Sequence, residues 1–144
     1  METRVSRVAN ALGPRGSLQD DLTAFFTEVV HLATSDPETP GCLVCCVLAD
    51  VAGSNETFRI ELDQRFVALE TRIARRLGEA GWSESSEVTP LIAAGLIGSI
   101  ARGIMVRAGS KGSSAELASV AHAAVAALVH LHRTNRSPSQ DRPL

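Results

Sequence analysis

The chain has 144 residues, of which 44% are hydrophobic, 21% charged and 3% aromatic, and its formal net charge is -2. This length suffices for one domain with its own core, and the preference for aliphatic over aromatic residues is typical of a helical bundle. The charge gives no general attraction for nucleic acid or anionic membranes, so we expect no direct DNA binding by this chain alone and no membrane partner.

The chain shows no targeting or membrane segment. Residues 1–12 lack the sustained apolar stretch of a signal peptide, and the uncharged segment 88–101 is too short and too rich in glycine to cross a bilayer. Three cysteines, an odd number, argue against a secreted disulfide framework. We therefore expect a cytoplasmic protein.

The first four predicted helices follow from stop signals, caps and apolar spacing. Residues 1–12 predict a helix that ends at Gly13 and Pro14, and Ser17 predicts the N-cap of a second helix that ends at the Ser-Asp-Pro sequence 35–37. The nearly uncharged segment 41–52, GCLVCCVLADVA, predicts a short buried helix. Residues 56–80 predict a long amphipathic helix with a strongly charged outer face.

The segment 88–106, within a predicted helix at 86–107, is apolar on all sides, and a last predicted helix at 115–131 divides its side chains by size in the same way. On a helical wheel the large aliphatic side chains gather on one side and glycine, alanine and serine on the other. We expect the large sides to face the core and the small sides to pack against a second copy. For Arg102 we expect a partner across that interface, because a lone buried charge is costly. The predicted dimer interface comprises Gly95, Gly98, Ser99, Arg102, Ser119, His122 and Ala126.

The predicted fold is all-α, an antiparallel bundle of about six helices over residues 1–131 that dimerises through its last two helices. From 132 to 144 the sequence is polar, contains two prolines and lacks an apolar period. This composition predicts a disordered tail.

The chemically reactive side chains do not form a catalytic or metal-binding motif. Cys42, Cys45 and Cys46 form a C-x-x-C-C sequence, which fits buried thiols in an apolar helix, a redox sensor or, with further ligands, a metal site. His122 lies on a packing side, as a core or interface residue or as a ligand contact. No nucleophile elbow or phosphate loop occurs. We expect no enzyme activity, no metal and no cofactor.

The order of several segments resembles the C-terminal domain of TetR-family transcriptional regulators. These segments are the Gly-Cys-Leu-Val sequence 41–44, the long helix from Glu56, the Arg-Ala-Gly sequence 107–109 and the Ser-Ala-Glu-Leu sequence 114–117. The resemblance implies a homodimer with a four-helix interface and an effector pocket in each subunit. The family's helix-turn-helix head has no counterpart before Gly13, so the start codon is misplaced, the gene is truncated, or the protein works without a head.

Three functional hypotheses follow from these observations. The first is an effector-binding and dimerisation domain of a TetR-like regulator that takes a hydrophobic small molecule; the same inward residues would equally fill a solid core. The second is a headless interaction protein that forms mixed dimers with full-length regulators, and the third is a thiol-based redox sensor. The predicted pocket walls are Phe25, Phe26, Val29, Cys45, Phe66, Leu69, Ile92 and Leu96.

Overall fold

The structure, a computed structural model, describes residues 4–14, 16–35, 53–110 and 112–135. These residues form five α-helices, which confirms the all-α fold class. The predicted short helix at 41–52 lies outside the described residues, together with Cys42, Cys45 and Cys46. The helices are α1 (Arg4–Ala11), α2 (Leu18–Thr34), α3 (Glu56–Glu79), α4 (Pro90–Gly109) and α5 (Ser114–Thr134).

The helices begin where side chains cap their free backbone amides. Ser17 Oγ accepts a hydrogen bond from the Asp20 amide at 3.1 Å, as predicted for α2. Asn55 caps α3. At α5, Ser113 Oγ accepts from the Glu116 amide at 3.2 Å and the Glu116 carboxylate accepts from the Ser113 amide at 3.4 Å. This reciprocal pair is a capping box and fixes the first residue of α5.

Helix α4 begins at Pro90, four residues after the predicted start near Ser86. Thr89 Oγ1 accepts from the Ile92 amide at 3.2 Å, and Pro90 occupies the first helical position, where no amide proton is required. The Ser86 hydroxyl instead lies 2.6 Å from both the Ser83 and Val88 carbonyl oxygens. The hydroxyl of Ser86 is therefore hydrogen-bonded within the loop, and the helix begins only at Pro90.

Helix α2 is the centre of the packing, since it contacts α1, α4 and α5. Helix α3 packs on α4 and contacts α1, and α4 packs on α5. Helices α4 and α5 follow each other in the chain and contact each other, less extensively than α3 contacts α4 or α2 contacts α5. The largest fully buried apolar side chains of this core are Leu22, Phe25, Phe26, Val29, Ile73, Leu77, Ile97, Leu117 and Leu128.

Polar contacts fix the first three helices to one another. Asp21 is 0% exposed and pairs with Arg76 of α3, whose side chain is mostly buried. Arg72 Nη2 donates to Asn10 Oδ1 at 2.6 Å, and Arg7 lies 3.0 Å from the Glu28 carboxylate. The Asp21–Arg76 pair is intolerant of losing one partner, because the other charge would remain buried alone.

Helix α5 continues to Thr134, three residues beyond the predicted end at Leu131. The His132 ring stacks on Trp82 with centroids 5.5 Å apart, and its Nε2 lies 3.1 Å from the Ala80 carbonyl oxygen. Asn135 is buried, and its carbonyl oxygen accepts from the Ser83 amide at 2.8 Å. The first residues assigned by sequence to a disordered tail thus dock on the α3–α4 loop, while residues 136–144 lie outside the described ranges.

Candidate functional site

The apolar helix α4 has a buried side and an exposed side. Its buried positions recur at intervals of three and four residues, as expected for one face of a helix: Pro90, Ala93, Ala94, Ile97, Gly98, Ala101, Ile104, Met105 and Ala108. Large aliphatic residues lie on the exposed side, where Leu91, Ile92, Leu96 and Val106 are between 44% and 59% exposed. The exposed side of α4 is therefore unusual for a helix surface in contact with water, because it presents large apolar side chains.

The inward orientation predicted for Ile92 and Leu96 is wrong, since both face outward. Gly98, predicted to face a second copy, is buried, and a Cβ built on it would lie 3.3 Å from Glu70 Oε1 of α3. Of the small side of α4, Ala94, Gly98 and Ala101 are buried within the subunit, whereas Gly95 is half-buried and Ser99 is exposed. The buried side is consequently rotated by about a quarter of a turn from the side chosen by aliphatic bulk.

Arg102 finds its partners within its own subunit. Its Nη2 lies 3.6 Å from Glu70 Oε1 and 3.1 Å from Ser99 Oγ, and its guanidinium carbon lies 4.2 Å from the centroid of the Phe66 ring. The ion pair and the cation–π contact satisfy the charge on a half-buried side chain. The expected partner across an interface is therefore not required.

Helix α5 exposes a side without formal charge. Ser119, His122 and Ala126, all predicted to face a second copy, are exposed, and so are Ala118, Ala123, Ala127 and Val120. From Leu117 to Leu131 the sequence contains no Asp, Glu, Lys or Arg. We refer to the exposed sides of the two helices together as the α4–α5 outer face: Ile92, Gly95, Leu96, Ser99, Gly103, Val106, Ala118, Ser119, His122, Ala123 and Ala126.

The predicted pocket walls do not share one space in the described structure. Phe25, Phe26 and Val29 are fully buried, and the two phenyl rings meet edge to face at 5.2 Å. Phe66 and Leu69 are half-buried on α3, and Cys45 lies outside the described residues. With Ile92 and Leu96 exposed, these positions belong to three different environments.

A groove of about 230 Å³ lies between α2 and α5, and the sequence did not reveal it. Its floor includes the buried Phe26, Ala121 and Val125, and Ala118 and His122 are shared with the α4–α5 outer face. Thr23, Thr27 and Val30 complete the lining, so no lining residue carries a formal charge. The spacing of Thr23, Thr27 and Val30 shows that they are neighbours on one side of α2. The groove itself arises only from the packing of α2 on α5, which the sequence does not show.

The described residues contain no group of three His, Cys, Asp or Glu side chains able to hold a metal ion. Helices α4 and α5 are long and apolar enough to cross a membrane by length and composition alone, a criterion that the core helices of soluble proteins also meet. Arg102 and Arg107 lie within α4, and Glu116 and Arg133 within α5. The central part of the α4–α5 outer face is therefore apolar and uncharged, and the exposed Arg107 and Arg133 lie on it near the C-terminal ends of the two helices.

No protein-family model, curated protein or solved structure matches the chain when compared with it.

Proposed function

We propose that the chain is the dimerisation and effector-binding domain of a TetR-like regulator and that two copies associate through the α4–α5 outer face. The observation that supports this proposal is that two neighbouring helices each expose a side whose central part is apolar and carries no charge. Contiguous apolar patches on a soluble subunit are typical of interaction sites. A pair of such helices from each copy would form a four-helix interface.

The composition of the face favours a second copy of the same chain. Large aliphatic side chains lie on α4, and alanine and serine dominate α5, so each subunit carries both the protruding and the flat half of the contact. A two-fold axis brings these halves together twice. A surface that is complementary to itself in this way needs no other protein to cover it.

Sedimentation equilibrium of the purified chain tests the association. The expected result is a mass twice that of the chain. The dissociation constant should not rise in high salt, since the face contains no ion pairs. A monomer at all concentrations would contradict the proposal. A species that appears only in detergent or lipid would assign the same face to a membrane.

Effector binding is tested separately by thermal unfolding with a panel of hydrophobic compounds. A ligand that binds the folded state raises the melting temperature in proportion to the logarithm of its concentration. The expected result is a saturable increase with at least one apolar compound. A chain that dimerises but responds to no compound would keep the dimerisation proposal and remove the effector from it.

A further inference from the structure

We propose that the α2–α5 groove is a ligand site for a small uncharged phenol, whose ring lies on the apolar floor and whose hydroxyl bonds Thr27 and His122. This inference rests on the proposed effector-binding function and names its site and the class of ligand. The groove differs from the pocket predicted from the sequence, with which it shares only Phe26.

The volume of the groove limits the size of the ligand. An apolar cavity of about 150 Å³ engineered in another protein holds benzene. The groove measures about 230 Å³ and is partly open to solvent. In proportion, it holds a ligand of roughly nine non-hydrogen atoms, which is one ring with a short substituent. Drug-sized ligands usually occupy roughly 300 Å³ or more.

The floor of the groove favours an uncharged aromatic body. Phe26, Ala121 and Val125 are buried there, and no lining residue carries a formal charge. A charged ligand would lose its hydration without gaining an ionic partner. The ring of Phe26 gives an aromatic ligand a contact that stabilises beyond the burial of apolar area.

The hydroxyl of Thr27 differs from those of the other two threonines in α2. Thr23 Oγ1 donates to the Gln19 carbonyl oxygen at 2.7 Å, and Thr34 Oγ1 donates to the Val30 carbonyl oxygen at 2.8 Å. Bonds of this kind, four residues back, are usual for helical threonine. Among the described residues, the Thr27 hydroxyl makes no hydrogen bond. It can therefore bond a ligand in the groove.

His122 supplies a second polar group from the α5 side of the groove. Its ring makes no hydrogen bond within the part of the chain that the structure describes. One nitrogen of a neutral imidazole accepts and the other donates, and a threonine hydroxyl does both. A phenolic hydroxyl can donate to His122 while it accepts from Thr27, whereas an ether or ketone can only accept. The pair therefore favours a hydroxyl group on the ligand.

A methyl NMR titration of the purified chain tests the site, with para-ethylphenol as the ligand and ethylbenzene as its analogue without the hydroxyl. We expect para-ethylphenol to bind with a dissociation constant of about 0.1 mM, which is reasonable for a ligand of this size. The methyl signals of Thr27, Ala121 and Val125 should shift most.

Two variants separate the space from the hydrogen bond. Ala121→Leu fills part of the groove and should raise the dissociation constants of both compounds by at least about 10-fold. Ala68→Leu, on the exposed side of α3, is the matched control and should leave both unchanged. Thr27→Val keeps the shape of the side chain and removes its hydroxyl. It should raise the dissociation constant of para-ethylphenol by about five-fold and leave that of ethylbenzene unchanged.

The contradicting outcomes separate the ligand class, the site and the proposed function. An equal effect of Thr27→Val on both compounds would overturn the phenol as the ligand class. Binding that survives Ala121→Leu, or shifts confined to methyl groups outside the groove, would overturn the site and leave the effector proposal intact. A parent chain that does not bind para-ethylphenol would overturn the inference. The proposed function would then stand if another compound raised the melting temperature, and would lose its effector if none did.

Discussion

Helices α3 and α5 each turn one side away from the core, and the two sides differ in their chemistry. The exposed side of α3 carries Glu56, Arg59, Glu61 and Arg65 among many charged residues, with ion pairs between neighbouring turns. The exposed side of α5 carries alanine, serine, valine and histidine. In the proposed dimer the charged side of α3 stays in contact with water, whereas the exposed side of α5 is covered by the second copy.

Helices α3 and α4 both contain glycines that face open space in the single subunit. A Cβ at Gly78 of α3, or at Gly95 or Gly103 of α4, would meet no atom of its own subunit within 4 Å. Glycine inside a helix is destabilising relative to alanine by roughly 0.5–1 kcal/mol. Two open glycines in the middle of α4 therefore have a cost that close approach by another chain would explain.

The strongest test of the contrast places the same charge on both sides. Ala126→Arg puts a guanidinium on the α4–α5 outer face, and the dimer dissociation constant should rise by at least about 100-fold, because a buried unpaired charge costs several kcal/mol. Ala68→Arg makes the same change on the exposed side of α3 and should have no effect. Sedimentation velocity over a dilution series measures both. Equal behaviour of the two variants would remove the distinction between the two sides.

A second test asks whether the charge of Arg102 belongs to the subunit or to the interface. Glu70→Gln removes the carboxylate that lies 3.6 Å from Arg102 and should lower the free energy of unfolding by about 1 kcal/mol. The dimer dissociation constant should stay unchanged, since the pair lies within one chain. Chemical denaturation combined with sedimentation measures the two quantities. A change confined to the dissociation constant would place this pair in the interface.

A third, smaller test uses the open glycines. Gly78→Ala should raise the free energy of unfolding by about 0.5 kcal/mol or slightly more and leave association unaffected. Gly103→Ala adds the same methyl group where a second backbone is expected, so the dimer dissociation constant should rise several-fold. Thermal unfolding at two protein concentrations separates the effects. If both variants are stabilised equally at both concentrations, no chain approaches Gly103.

The smallest effect is expected from the charged side of α3. The hydrogen bond from Arg59 lowers the pKa of the Glu56 carboxyl, and the attraction of the guanidinium acts in the same direction. A lowered pKa means that the pair stabilises the helix above the unfolded pKa of Glu56 and loses this contribution as the pH falls through the folded pKa. Carboxyl NMR titration should show the Glu56 midpoint move upward in Arg59→Gln. No movement would mean that the exposed pair is not formed in solution.

Features with short-range causes were predictable from the sequence. The cap at Ser17 depends on a residue three positions away, and the long period of α3 lies within one segment. The all-α class follows from the same local signals. The start of α4 differs from the predicted one near Ser86 because Thr89 caps the helix and Pro90 takes its first position.

Features that depend on how helices pack were not predictable. The rotation of α4 depends on small residues such as Ala94 and Gly98 being needed for contact with α2 and α3, whereas a wheel assigns burial by side-chain size. Arg102 and Glu70 are far apart in sequence, and so are Asp21 and Arg76. The α2–α5 groove combines residues 23–30 with residues 118–125, and no local pattern joins them. Candidate sites built from one helix at a time therefore failed at Ile92 and Leu96.

Trp82 is the only tryptophan in the chain, and it is buried between the α3–α4 loop and the last turns of α5. Its indole N–H donates to the Val88 carbonyl oxygen at 2.7 Å, and its ring stacks on His132, away from the α2–α5 groove. The intrinsic fluorescence of the protein consequently reports detachment of the end of α5 and, if the proposed dimer forms through the α4–α5 outer face, not separation of its subunits. A light-scattering signal and a fluorescence signal recorded on the same sample would distinguish dissociation from unfolding without any label.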